Sequence, residues 1–149
     1  MSGGQNLQAK AEIGRAIKAA INALTLETKE GMIEAHGTIL GALEQAEQAQ
    51  LAPEQIILFC MLGDLYFSTK KFETAHSAYT DAIHIEGAIG NPKVHYRLGK
   101  TNYHLENLDR AADELARAYM GAGKDIFAND GGIYFEFLKT RLKPPPNGW

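Results

Sequence analysis

Large apolar and small residues recur along this chain at an offset of 36 positions. Leu62-Gly63 returns as Leu98-Gly99, Ala75 as Ala111, Tyr79 as Leu115 and Ala82 as Ala118. Small residues recur where a bulkier side chain forces two helices apart, and large apolar ones where the space between helices must be filled. The pattern predicts helices over 53–68, 71–86, 92–104 and 108–121. Pro53 and Pro92 suit early helical positions, where a missing N–H costs nothing, and Asn91 is placed to cap the helix that follows it. Short turns at 69–71 and 106–107 fold each pair into an antiparallel hairpin, giving repeats over 53–86 and 92–121. The two residues that lengthen the period fall near Gly87-Gly90.

Upstream, helices over 7–25 and 29–49 meet at a turn within 22–28 and form a degenerate first hairpin, which lacks a Leu-Gly pair. Downstream, Ile133, Phe135, Phe137, Leu138 and Leu142 predict a helix over 131–142 that covers the last apolar face of the array. Pro144-Pro145-Pro146 ends it and leaves a Pro-rich tail over 143–149. Composition agrees with an all-α reading of residues 1–149 as a single domain: alanine occurs 21 times and valine once, at Val94. Glycines inside the helical stretches, chiefly Gly63 and Gly99, are expected where helices approach closely.

The residues Phe59, Leu62, Gly63, Tyr66, Ala75, Tyr79 and Ala82, followed by His95, Leu98, Gly99, Ala111, Leu115 and Ala118, resemble the tetratricopeptide (TPR) repeat family over about residues 56–120. The second match departs from the family pattern at His95 and at Asn102, where an aromatic is usual, and the period is 36 rather than 34. The resemblance implies an antiparallel helix-hairpin array, a TPR-like α-solenoid with a C-terminal capping helix. It also implies that the first helix of each pair lines a concave, peptide-binding face.

On that layout Lys93, Arg97 and Lys100 share one face of helix 92–104 at i, i+4 and i+7, flanked by Tyr96 and Tyr103. Arg97 offers a fork for a carboxylate and the lysines a less directional charge. The preceding groove-side helix presents Ile57, Cys60, Met61, Asp64 and Phe67, mostly apolar with one acid. The expected ligand is a protein or peptide segment with acidic and apolar anchor residues. A solvated basic face with core tyrosines is the competing structural reading of the same residues.

Other chemistry is thin. A formal charge of −3, from 15 Lys+Arg and 18 Asp+Glu, gives no reason to expect nucleic acid, and no apolar run is long enough for a membrane span. With no recognisable leader, a cytoplasmic location is expected. The single cysteine allows no internal disulfide and reads as structural. His76 and His84 stand two helical turns apart, about 12 Å, too far for one metal. Gly121-Ala122-Gly123-Lys124 lacks the following Ser/Thr of a phosphate loop. Neither a cofactor nor catalysis is expected. The leading expectation is a non-catalytic protein-interaction module, an adaptor for example. The alternatives are a small bacterial chaperone or toxin-immunity-type protein that sequesters one partner, and a metal-binding protein or enzyme whose residues converge from several helices. Self-association is compatible with the glycines of the first hairpin and with the Pro-rich tail.

Overall fold

The computed structural model describes residues 3–149. It is all-α, with no strand among the described residues: α1 Gly3–Leu24, α2 Lys29–Gln48, α3 Ala52–Ser68, α4 Phe72–Ile83, α5 Pro92–His104, α6 Leu108–Ala122 and α7 Ile133–Lys139, with a 3-10 turn at Lys124–Phe127 before α7. Each helix packs on the next as a consecutive array of hairpins. Among the odd-numbered helices α3 also touches both α1 and α5, which places these three on the inner side of the array. No helix among the described residues is long and apolar enough to cross a membrane.

Helix ends follow local chemistry. The Asn91 side chain accepts the Lys93 N–H at 3.0 Å, capping α5 ahead of Pro92. Thr28 caps α2 by accepting the Gly31 N–H at 2.9 Å. Some boundaries differ from the periodic reading. The helix expected over 71–86 ends at Ile83, because the segment before Asn91 turns inward to bury Ala88. The helix expected over 131–142 is the seven-residue α7, since Gly131 and Gly132 take positive φ and delay its start. The 3-10 turn was not signalled by the pattern; it brings Phe127 into the core.

Three glycines, Gly31, Gly63 and Gly99, set the distance between paired helices. A Cβ on Gly63 would lie 2.3 Å from the Tyr79 ring, and one on Gly99 would lie 2.6 Å from Leu115. Both of these neighbours are almost fully buried, so neither ring nor branch has room to retreat. In the first hairpin Gly31 does the same, since a Cβ there would fall on the Ala23 carbonyl of α1, and alanines fill the rest. Ala9, Ala20, Ala23, Ala35, Ala42 and Ala46 are all buried there, which accounts for much of the alanine in the composition. It also carries part of the repeat in hidden form. Ala35, Ile39 and Ala42 reproduce the spacing of Ala75, Tyr79 and Ala82, and all three are buried.

Three connected cores run along the array. The first joins α1 and α2 to α3 and to Ala78 of α4, the second joins α3 and α4 to α5, and the third joins α5 and α6 to the 3-10 turn and α7. The tail returns onto the last of these. Trp149 meets Tyr119 edge-on, with ring centroids 5.4 Å apart, and Phe135 at 5.7 Å.

The helix-spacing role of glycine makes a contrast that urea denaturation can read. Gly63→Ala and Gly99→Ala are each expected to lose about 1–3 kcal/mol through overpacking. Gly37→Ala, where an added Cβ meets nothing within 4 Å, is expected to gain up to about 1 kcal/mol from helix propensity alone. Equal effects at all three positions would refute the assignment.

Candidate functional site

The inner face carries a groove of about 550 Å³ between α3, α5 and the segment after α6. Asp64, Phe67 and Ser68 line it from α3, and Lys93, Tyr96, Arg97 and Lys100 from α5. Ile126, Asn129 and Asp130 close the far end. Six of the ten residues singled out in the sequence therefore meet here: Asp64, Phe67, Lys93, Tyr96, Arg97 and Lys100.

The other four do not line it. Cys60 is buried in the second core beside Tyr79 and Leu98. Met61 packs against the first core. Tyr103 joins the aromatic cluster of the C-terminal end, edge-on to Tyr134 and Phe137. Ile57 is exposed but lies outside the groove lining. In each case helical spacing gave the approximate face, while the angle between neighbouring hairpins decided what that face meets.

The charges in the groove are largely paired. Arg97 donates from Nε to Asp64 Oδ1 at 2.8 Å and from Nη2 to Oδ2 at 3.0 Å, so the fork expected to await a ligand is occupied by a residue of this chain. Tyr79 also donates its hydroxyl to Asp64 Oδ1, at 2.6 Å. Burial works against the Arg97 charge, but the hydrogen bonds and charge of Asp64 outweigh it and keep the guanidinium protonated. Lys100 is held more diffusely. Its Nζ sits 4.9 Å from the ring centres of both Phe67 and Tyr96 and 3.7 Å from Asp130. Tyr96 donates its hydroxyl to Asp130. Burial first, and then that carboxylate, hold the phenol well above its ordinary pKa, so it stays a donor.

Lys93 differs from its neighbours on α5. It is exposed and has no ion pair among the described residues. The groove thus presents one uncommitted cation beside two internally compensated pairs, with Phe67 and Ile126 as apolar surface. Asp130 was missed as a groove residue. It lies in the least repeat-like stretch of the chain, where periodicity carries no information about direction.

A second polar cluster lies in the interior. The Gly90 N–H donates to His95 Nε2 at 3.0 Å, which leaves Nδ1 to carry the ring proton and donate to Glu114 Oε2 at 2.6 Å. Arg110 binds the other Glu114 oxygen at 2.8 Å. This arrangement ties the lengthened α4–α5 connection to α6, and explains why His95 stands at a position where the repeat prefers a bulky apolar residue. Among the described residues, no group of three or more His, Cys, Asp or Glu side chains is placed to hold a metal ion.

Comparison of the sequence with models of protein families and with curated proteins found no match.

Burial raises the Cys60 thiol to about 11, with Arg97 opposing and Asp64 reinforcing the shift. The rise from the ordinary 9.0 leaves about 100-fold less thiolate at pH 8. Cys60 is therefore expected to react with a disulfide reagent such as DTNB at least about 100-fold more slowly in the native protein than in urea. Equal rates in the two states would place the thiol at the surface.

Proposed function

We propose that the chain is a non-catalytic TPR-like module that binds a polypeptide segment along the groove between α3 and α5. The observation that carries this reading is the combination of an open channel of about 550 Å³ with the free Lys93 charge, the apolar surface of Phe67 and Ile126, and walls braced by the Asp64–Arg97 and Asp130–Lys100 pairs. A groove whose walls are fixed before binding loses little side-chain entropy when occupied. Its main selective element is then Lys93, which favours an acidic residue in the ligand, while the ring and the isoleucine accept an apolar one. Arg97 acts mainly as a brace, because a ligand carboxylate gains it only by displacing Asp64. The Leu-Gly, Ala, aromatic, Ala signature and the repeated hairpins support the family reading. The adaptor role and a cytoplasmic setting belong to the same proposal.

The test is selection from a displayed peptide library, followed by fluorescence anisotropy on the selected sequences. Peptides pairing Asp or Glu with a large apolar residue are expected to be enriched. Lys93→Glu should weaken them about fivefold or more, and Ser68→Trp, which fills the groove, about tenfold or more. Selected peptides that bind both variants as well as the parent protein would rule the groove out as their site.

A further inference from the structure

A second hollow, of about 520 Å³, lies between the start of α2 and the end of α3, lined by residues other than those of the α3–α5 groove. Met32, Ile33 and His36 line it from α2, and Leu65 and Tyr66 from α3. At its deeper wall the His36 ring meets Tyr66 edge-on, with Nε2 2.9 Å from the tyrosine hydroxyl. Ile33 remains 64% exposed at the mouth.

The next junction along the array shows what this one lacks. There, too, the start of an even-numbered helix meets the end of the following odd-numbered one. Phe72, the first residue of α4, stacks on His104 at the end of α5, with centroids 4.5 Å apart and planes within 5°. Phe72 also meets Phe67 edge-on at 5.2 Å. A ring thus fills the α4–α5 junction. In the α2–α3 junction the register of Ala35, Ile39 and Ala42 puts Met32 where Phe72 stands, and the narrower side chain leaves the space beside His36 and Tyr66 open.

The rim supplies a charge. Lys29 and Lys71 border the hollow, no carboxylate lines it, and neither lysine has an ion pair among the described residues. The positive end of α2 lies on the same side and adds to the field. A neighbouring hollow of about 460 Å³ shares Met32, Leu65 and Thr69 and runs on past Leu24 and Glu27 to Asp64 and Ser68 at the edge of the α3–α5 groove, so the track continues beyond the space one ring occupies. An extended track of this kind suits a chain of residues better than a single small molecule.

We propose that the α2–α3 hollow is a second docking site, which takes an aromatic side chain of a partner polypeptide and meets an adjacent carboxylate of that partner with Lys29 and Lys71. The ring packs beside Met32 and supplies the aromatic surface that Phe72 gives one junction further on. The hollow shares no lining residue with the α3–α5 groove, so a variant can be placed in either one alone.

The test is an NMR titration of the full chain with two capped dipeptides, Ac-Trp-Glu-NH2 and Ac-Trp-Lys-NH2. The acidic probe is expected to shift Met32, Ile33, His36 and Tyr66, and to bind about fivefold or more tightly than the basic one. Met32→Trp, which fills the hollow from inside, and Ile33→Asp, at an exposed position, should each abolish those shifts. The double variant Lys29→Glu, Lys71→Glu should remove the preference for the acidic probe. Both residues are exposed, and a glutamate at the start of α2 is favoured by the helix dipole. Shifts confined to the α3–α5 groove, equal binding of the two probes, or unchanged binding by Ile33→Asp would overturn the proposal.

Discussion

The close approach of Gly63 to the Tyr79 ring governs more of this protein than any other contact. With no Cβ at Gly63, α3 and α4 come near enough for the ring to take the space a Cβ there would occupy. The ring is then almost wholly buried, and its hydroxyl reaches Asp64, the residue next to the glycine. Asp64, oriented by that hydrogen bond, accepts the fork of Arg97 from the next hairpin. A packing constraint inside one hairpin is thereby converted into a polar link between two hairpins. The equivalent glycine one period on, Gly99, meets Leu115, which has no hydroxyl, and the chain of contacts stops there.

The end of the array is closed by different means. Beyond α6 the chain leaves the repeat, passes through a 3-10 turn and returns as the short α7. Tyr96, Phe127, Tyr134 and Leu138 are buried there, and Trp149 adds its ring at the edge. Asp130, carried in by the same connection, pairs with Lys100 and accepts from Tyr96. The closing segment thus shapes the inner groove as well as covering the last apolar face. The α2–α3 junction holds the His36 and Tyr66 rings but has Met32 where the next junction has Phe72, and it stays more open.

Much of the architecture was legible in the residue pattern, because helices and short hairpins are local. The spacing of Leu-Gly and Ala-x-x-x-Tyr-x-x-Ala depends only on the turn of a helix and the separation of two neighbours. It located α3 through α6 to within a few residues. The first hairpin was harder to read: the close-contact glycine, Gly31, sits on its second helix against Ala23 of the first, and the Ala35, Ile39, Ala42 spacing occurs without a Leu-Gly pair in the helix before it. The late start of α7 follows from two glycines with positive φ, whose effect on a helix boundary depends on the turn they are asked to make.

The candidate groove was legible only in part. Helical spacing put Lys93, Tyr96, Arg97 and Lys100 near one another, since that proximity is a property of one helix. It did not show that Arg97 already holds Asp64, 33 residues away, or that Lys100 lies against two rings and Asp130. Nor did it distinguish Met61 and Cys60, which turn into the cores, from Asp64 and Phe67, which turn toward the groove. The sequence by itself determined the helices, their pairing and the period of the array, because these rest on backbone geometry and on side-chain size at fixed spacing. Only the tertiary structure decided which charges are spent within the chain and which stay available. That depends on the angle and depth at which one hairpin meets the next, and no run of neighbouring residues encodes either.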